Sequence, residues 1–170
     1  MGLFDMLTGN KAPAPGVAKK PAADLRAALL ALNRDGAPWQ VRDGAPEKCD
    51  LVAEWKIVDA RWYEIFAKAS LSKVFKVLMK IDEAKGEVRA VDQEFTVEWR
   101  AGIPSLSASV EAFRGQKVEM SLGTAYGFKE DLGLGKIYEY RFNTKEIKEP
   151  LQDVVTRSGY AWKGVAFGKL

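Results

Sequence analysis

The stretch that decides the fold is "KVFKVLMKIDEAKGEVRAVDQEFTVEWR", residues 73–100. Its first third alternates apolar with polar residues, which is the period-two pattern of a half-buried β-strand. "DEAKGEV" then predicts a tight turn, because Gly86 can take the positive φ angle that such turns need. The returning strand is predicted to run from near Val88 to Trp99, with a bulge at Ala90 and Val91, where the alternation is lost.

Similar alternation recurs on both sides of this hairpin, in the segments 51–59, 106–113, 118–123 and 136–142. Residues 22–34 and 143–159 instead have apolar residues at helical spacing, and residues 60–68 fit either a short helix or a bulged strand. Short loops between successive strands favour antiparallel neighbours. The predicted fold class is therefore α+β: an antiparallel meander sheet of about six to eight strands, packed by an N-terminal and a C-terminal helix.

The chain of 170 residues is long enough for one domain with a sizeable core. We predict a flexible N-terminal tail over residues 1–21 and a single α+β domain over residues 22–170. The segment "GNKAPAPGVAKKPA", residues 9–22, is rich in Pro, Ala, Gly and Lys and is typical of a linker. A mobile tail and a docked arm are both open interpretations of this region.

The first seven residues, "MGLFDML", form a short apolar patch that suggests an anchor for a membrane or a partner. Its four apolar side chains each gain at most about 1.5–3 kcal/mol on burial. Ordering the backbone costs about 1–2 kcal/mol per residue, so the balance is near zero. Membrane contact through this patch alone is therefore predicted to be weak.

Composition excludes several functions. The chain has no histidine and one cysteine, Cys49, so a disulfide within the chain, a cysteine-based zinc site and a Ser-His-Asp triad cannot be built. Three lysines against Asp5 place +2 of the net charge of +3 in residues 1–22, so we expect no nucleic-acid partner. We also expect no cofactor, no catalytic residue and a cytoplasmic location.

The glycine-rich segment "SLGTAYGFKEDLGLGKIYEY", residues 121–140, is not a phosphate-binding loop. Such a loop needs a glycine five positions before Gly135, where Glu130 stands, and a Ser or Thr where Ile137 stands. A long connection of this kind is either a ligand lid or an inert turn.

Acidic and basic residues mostly fall on the polar side of predicted strands. Glu94 and Glu98, two of the many carboxylates, form an acidic stripe that we interpret as a solvated sheet face. Many cations follow or precede an aromatic residue, and neighbours along a strand point to opposite faces. The aromatic residues are therefore assigned to the core and the cations to solvent.

The aromatic content is the most informative feature, with 5 Trp, 8 Phe and 5 Tyr in one small domain. This high aromatic content predicts a ligand cavity between sheet and helix or a surface that binds a partner. The candidate ligand-binding residues are Trp62, Tyr126, Phe128, Tyr138, Tyr140 and Trp162. The predicted function is a non-enzymatic binding module for an apolar small molecule or a protein partner segment. The alternative is a structural or assembly protein that acts at a membrane or protein surface through its N-terminal tail.

Overall fold

The computed structural model describes residues 9–34, 37, 39–56, 73–101, 103–107, 114–115, 126–129, 137–140, 144–165 and 170. In chain order its elements are α1 (Ala22–Leu30), β1 (Trp39–Asp43), a 3-10 helix (Ala45–Glu47), β2 (Leu51–Trp55), β3 (Lys73–Asp82), β4 (Glu87–Arg100), β5 (Ile103–Ser107), β6 (Arg114–Gly115), β7 (Tyr126–Lys129), β8 (Ile137–Tyr140), α2 (Thr144–Arg157) and β9 (Ala161–Gly164). The fold is α+β, as predicted. The segment 60–68 lies outside the described residues.

Strand β4 organises the main sheet because it is paired along both of its edges. On one edge its residues 87–96 pair antiparallel with β3. Its other edge is shared by three short strands: β9 at residues 87–90, β6 at residues 92–93 and β5 at residues 96–100. The 14 residues of β4 therefore hold most of the sheet together.

The sheet is mostly antiparallel but is not a strict meander. Strands β1 to β5 neighbour one another in chain order. The sequence analysis predicts no strand at the position of β1, residues 39–43. Strand β9 then lies parallel to β4, because the chain enters it directly from α2 rather than through a hairpin from a neighbouring strand. Parallel neighbours need such a crossover connection, so the prediction of a pure meander is wrong at this strand.

The predicted bulge at Ala90 and Val91 is absent from the ladder between β3 and β4. Their partners Met79 and Leu78 follow in continuous register. Alternation is lost here because both faces of the sheet are covered. Ala90 belongs to the large core under the helices, whereas Val91 belongs to a second cluster on the opposite face.

The two helices cover one face of the sheet, and their apolar side chains pack into the core. Leu25 and Leu29 of α1 and Ile147, Leu151 and Val155 of α2 have no exposed surface. Below them lie apolar residues of β1 to β4 and β9, including Trp39, Trp55, Phe75, Val77, Met79, Val88 and Trp162. The second cluster, on the other face, consists of Val52, Leu78 and Val91, against which Val165 and Leu170 pack.

Residues 9–21 lie against the body of the domain, and we call this segment the arm. Lys11 and Trp162 exchange two backbone hydrogen bonds, with N···O distances of 2.9 and 2.8 Å. The side-chain oxygen of Asn10 accepts a bond from the amide of Gly164, and the Tyr160 hydroxyl donates to the carbonyl of Lys20. These contacts are those of a docked arm, which is one of the two interpretations that the sequence leaves open.

Three edge strands of the sheet, β1, β9 and β5, carry a feature that hinders further pairing. The Asn33 side chain accepts a bond from the Val41 amide and donates to its carbonyl, in the way a neighbouring strand would. Asn10 and Lys11 occupy the free edge of β9. In β5, Pro104 removes one backbone donor. Blocked edges of this kind prevent sheets of separate molecules from joining.

Gly159 provides a test of arm docking, because its φ angle is +83° and a Cβ there would lie 2.6 Å from Lys19 Cα. Gly16 has a similar φ of +72° but no atom within 4 Å of its Cβ position. We predict that Gly159→Ala releases the arm. Gly16→Ala should add only backbone strain, about 1–2 kcal/mol for a left-handed residue.

The measurement is hydrogen exchange at the Lys20 amide, which is bonded to the Ser158 carbonyl at 3.0 Å. Gly159→Ala should remove the protection of this amide, whereas Gly16→Ala should retain it. Equal protection in the two variants would show that the arm does not depend on its close approach to Gly159.

Candidate functional site

Four of the six predicted ligand-binding residues come together in a separate two-stranded sheet formed by β7 and β8, which we call the ribbon. Tyr126 is opposite Tyr140, and Phe128 is opposite Tyr138. Residues two apart on a strand share a face, and so do directly opposed residues. The register therefore places all four aromatic residues on one face of the ribbon.

The other face of the ribbon has a different composition. Its positions are Gly127, opposite Glu139, and Lys129, opposite Ile137. One face is thus wholly aromatic and the other is mixed and charged. Strand β7 lies inside the glycine-rich segment that the sequence analysis treats as one long connection. Aromatic residues alternate with Gly127 in this strand.

The two remaining predicted residues are not part of the ribbon. Trp62 lies outside the described residues. Trp162 lies in β9, opposite Val88 of β4, and is completely buried in the core. Its indole Nε1 has no hydrogen-bond partner among the described residues, which costs stability for a buried donor. A ligand-binding role for Trp162 stays a prediction.

A network of four charged residues lies on the sheet face opposite the helices. Arg42 donates from Nη1 to Glu47 at 2.9 Å and from Nε to Glu54 at 2.7 Å. Lys76 Nζ lies 3.2 Å from the other Glu54 oxygen and 4.8 Å from the centre of the Phe95 ring. Two cations and two carboxylates therefore compensate one another in a partly buried position.

Protonation equilibria in this network favour the charged forms. The hydrogen bond with Glu47 raises the pKa of Arg42. The same hydrogen bond lowers the pKa of Glu47 below its ordinary value. Burial alone would raise the pKa of Glu54, but the Arg42 hydrogen bond and the charge of Lys76 outweigh it, so that pKa is also lowered. The network therefore stabilises the fold, and most of its charge is already neutralised.

A second charged group lies inside the core, beneath α2. Lys148 of α2 donates to Oδ2 of Asp92, which has no exposed surface. Glu94 belongs to the same sheet face and is 9% exposed. Glu98, in contrast, is exposed. The interpretation of Glu94 and Glu98 as one solvated stripe is therefore wrong for Glu94, because the interior of the domain covers that part of β4.

The sequence carries a signal for the burial of Asp92, though not for its partner. Asp92 has the same parity along β4 as the core residues Val88 and Ala90, so a continued strand must turn its carboxylate inward. Among the described residues, no group of three or more Cys, Asp or Glu side chains could hold a metal ion. Lys148 and Asp92 thus form an ion pair between α2 and the sheet.

No protein-family model, no curated protein and no solved structure matches the chain. Within the described part of the chain, neither helix is long and apolar enough to cross a membrane.

The network on the outer sheet face predicts a specific loss of stability in acid. The pKa values of Glu47 and Glu54 are lower in the folded protein than the ordinary 4.5. Their stabilisation is therefore complete above that pH and is lost as the pH falls through the folded-state values. In urea unfolding between pH 7 and pH 3, we expect wild type to lose more free energy of unfolding than Glu47→Gln/Glu54→Gln.

Glu149→Gln is the control, because Glu149 is exposed on α2. Its pH profile should follow that of the wild type. If the double variant also follows the wild type at every pH, the network contributes nothing to acid stability.

The buried pair predicts a non-additive response to substitution. Lys148→Met leaves the Asp92 carboxylate buried without its lysine and should destabilise the fold by about 3–5 kcal/mol. Lys148→Met/Asp92→Leu should recover most of that loss, because both charges are then gone. Arg157→Met, at an exposed position of the same helix, should change stability by no more than about 0.5 kcal/mol. Urea unfolding measures all three, and losses that simply add would contradict a coupled pair.

Proposed function

We propose that this protein is a non-enzymatic binding module whose ligand is an apolar small molecule or a segment of a protein partner. The site is the aromatic face of the ribbon. The observation that carries the proposal is the register of β7 and β8, which gathers Tyr126, Phe128, Tyr138 and Tyr140 on one face.

The energetics of a two-stranded ribbon support this proposal. An isolated hairpin is at best marginally stable in water, and it gains stability by covering an apolar face. Aromatic side chains each bury about 150–250 Å² and dominate the energetics of cores and interfaces. A ligand or partner segment lying across four such residues therefore has a large apolar area to cover.

The residue types of this face indicate the chemistry of the ligand. Three of the four residues are tyrosines, whose hydroxyl groups require hydrogen-bond partners when they are buried. Phe128 adds a wholly apolar position between them. A matching ligand has an extended apolar body and at least one polar group, such as a carboxylate, an amide or a hydroxyl.

The helix-covered face of the main sheet is a poorer location for the ligand. The sequence analysis offers a cavity between sheet and helix as one possible site. In the described residues that space holds side chains of α1 and α2, among them Leu29 and Leu151, which have no exposed surface. The ribbon is therefore the better candidate among the described elements.

Neighbouring positions on opposite faces of the ribbon provide matched variants for the test. Phe128 has Lys129 beside it, and Tyr138 has Glu139 beside it. The probe is dodecanoate, an apolar chain with one carboxylate, and binding is measured by ligand-observed NMR. Phe128→Ala and Tyr138→Ala should each weaken binding about tenfold, the loss expected for roughly 1.4 kcal/mol of contact.

Lys129→Ala and Glu139→Ala should leave binding within about twofold. Far-UV circular dichroism and thermal unfolding of all four variants check that the fold is retained. Equal losses of dodecanoate binding for substitutions on the two faces would contradict the assignment of the site to the aromatic face. So would a wild-type protein that binds no dodecanoate.

A further inference from the structure

The outer edge of β9 faces the arm, and hydrogen bonds on the β4 side fix which backbone groups point toward it. The amides of Ala161 and Val165 donate to carbonyls on the β4 side, at 2.9 and 2.8 Å. In a trans peptide the N–H and the preceding C=O point in opposite directions. The carbonyls of Tyr160 and Gly164 therefore point to the outer edge, where the arm lies.

The arm pairs with this edge at a single residue. Lys11 exchanges two backbone hydrogen bonds with Trp162. The amide of Gly164 donates to the side-chain oxygen of Asn10, at 2.7 Å, instead of to a backbone carbonyl. The carbonyls of Tyr160 and Gly164 accept no hydrogen bond from a described residue. Because Tyr160 has no exposed surface, its carbonyl is a buried acceptor without a donor in the described part of the chain.

Two residues of the arm stop the pairing on either side of Lys11. In an antiparallel ladder, the residues two positions before and after Lys11 face Gly164 and Tyr160. They are Gly9 and Pro13. Pro13 has no N–H to donate to the Tyr160 carbonyl. Gly9 has a φ angle of +69°, which turns the chain out of the extended conformation. A strand without these two residues would form three pairs where the arm forms one.

The arm is held mainly by backbone hydrogen bonds. Its residues 11–13 and 15–20 are exposed, so little side-chain burial supports the docked position. A hydrogen bond that replaces bonds to water adds modest net stability, and ordering the backbone costs entropy. Segments with few buried contacts open at low free energy. Lys20 is bonded separately to Ser158, so uncovering the edge requires only that residues 9–14 move away.

We propose that the outer edge of β9 is a docking site for an extended, proline-free segment of a protein partner, and that the arm is an autoinhibitory cap which this segment displaces. The segment adds a strand antiparallel to β9 and bonds the carbonyls of Tyr160 and Gly164 in addition to the backbone of Trp162. Strand addition of this kind takes its affinity from main-chain hydrogen bonds. The extra bonds favour the partner segment over the arm.

The arm of a second copy is a poorer occupant of the same edge. It carries the same Gly9 and Pro13, so it would form no more pairs than the arm already in place. The site is also distinct from the aromatic face of the ribbon, because β7 and β8 pair only with each other among the described strands. The proposal therefore adds a second binding site to the protein.

The test is an NMR titration of the isotope-labelled, full-length protein with blocked synthetic peptides of residues 9–16. The strand peptide carries Gly9→Val/Pro13→Val, which restores a donor for Tyr160 and an extended residue opposite Gly164. It should bind about tenfold more tightly than the unchanged peptide, with shifts centred on the Trp162 and Gly164 amides. A strand peptide that also carries Lys11→Pro should not bind, because it lacks the donor to Trp162.

Substitutions in the arm of the protein test its autoinhibitory role. Lys11→Pro removes the arm's own pair with Trp162 and should strengthen binding of the strand peptide about tenfold. Ala12→Pro is the matched control, because Ala12 is exposed and its amide bonds no described residue. It should change binding by less than about twofold. Asn10→Ala, a milder change, should strengthen binding about threefold. Far-UV circular dichroism checks that each variant is folded.

Equal affinities of wild type and Lys11→Pro for the strand peptide would overturn the autoinhibitory role. Shifts centred on β1 or β5 would overturn the assignment of the site to β9. Self-association of Lys11→Pro without peptide, measured by sedimentation velocity, would show that a second copy covers the edge and would contradict a partner segment. The ribbon variants Phe128→Ala and Tyr138→Ala should bind the strand peptide like wild type, so failure here leaves the proposed ligand site standing.

Discussion

The hydrogen-bonded ladders along both edges of β4 are the constraint on which the rest of the structure depends. One edge carries the long hairpin partner β3, and the other carries three short strands from widely separated parts of the chain. Because β9 is one of these, the last segment of the chain is fixed beside Glu87–Ala90. That pairing brings α2 across one face and Val165 and Leu170 onto the other.

Burial on both faces has a chemical consequence for β4. Around Ala90, Val91 and Asp92, where both faces of β4 are covered, a charged residue has no solvent-facing position. Asp92 is accordingly paired with Lys148 of α2, and removal of either partner would leave a charge in the interior. The ion pair therefore helps to fix how α2 lies on the sheet, in addition to the apolar contacts of Ile147 and Leu151.

The sequence was sufficient to predict the central hairpin and the helix regions. In these segments the spacing of apolar residues directly reflects which side chains of the same segment are buried. Strands β3 and β4 lie where the alternation places them, and the turn glycine Gly86 has the expected positive φ of 64°. Helix α1 begins at Ala22 as predicted but ends at Leu30, four residues early. Asn33, which the prediction included in the helix, instead bonds the edge of β1 at Val41.

Features that depend on distant partners were not predictable in this way. The parallel position of β9, the docked arm and the Asp92–Lys148 pair all require knowledge of which segments become neighbours. The candidate ligand site is intermediate: aromatic content selected Tyr126, Phe128, Tyr138 and Tyr140. Their common face follows only from the register of β7 with β8. Sequence composition identified the residues, and backbone pairing grouped them.

Cation placement shows why net charge is a poor guide to surface chemistry in this protein. The chain carries only +3 overall, and the sequence analysis assigns most of that excess to the first residues. Yet strand pairing sets Lys80, Arg89 and Lys163 next to one another, while Arg42 and Lys76 on the same face are neutralised. The local electrostatic potential depends on which cations are not paired with carboxylates. The register of β3, β4 and β9 decides which charged residues become neighbours. Trp162 of β9 also exchanges backbone hydrogen bonds with Lys11, so the pairing of β9 with β4 determines both which cations become neighbours and where the arm is held.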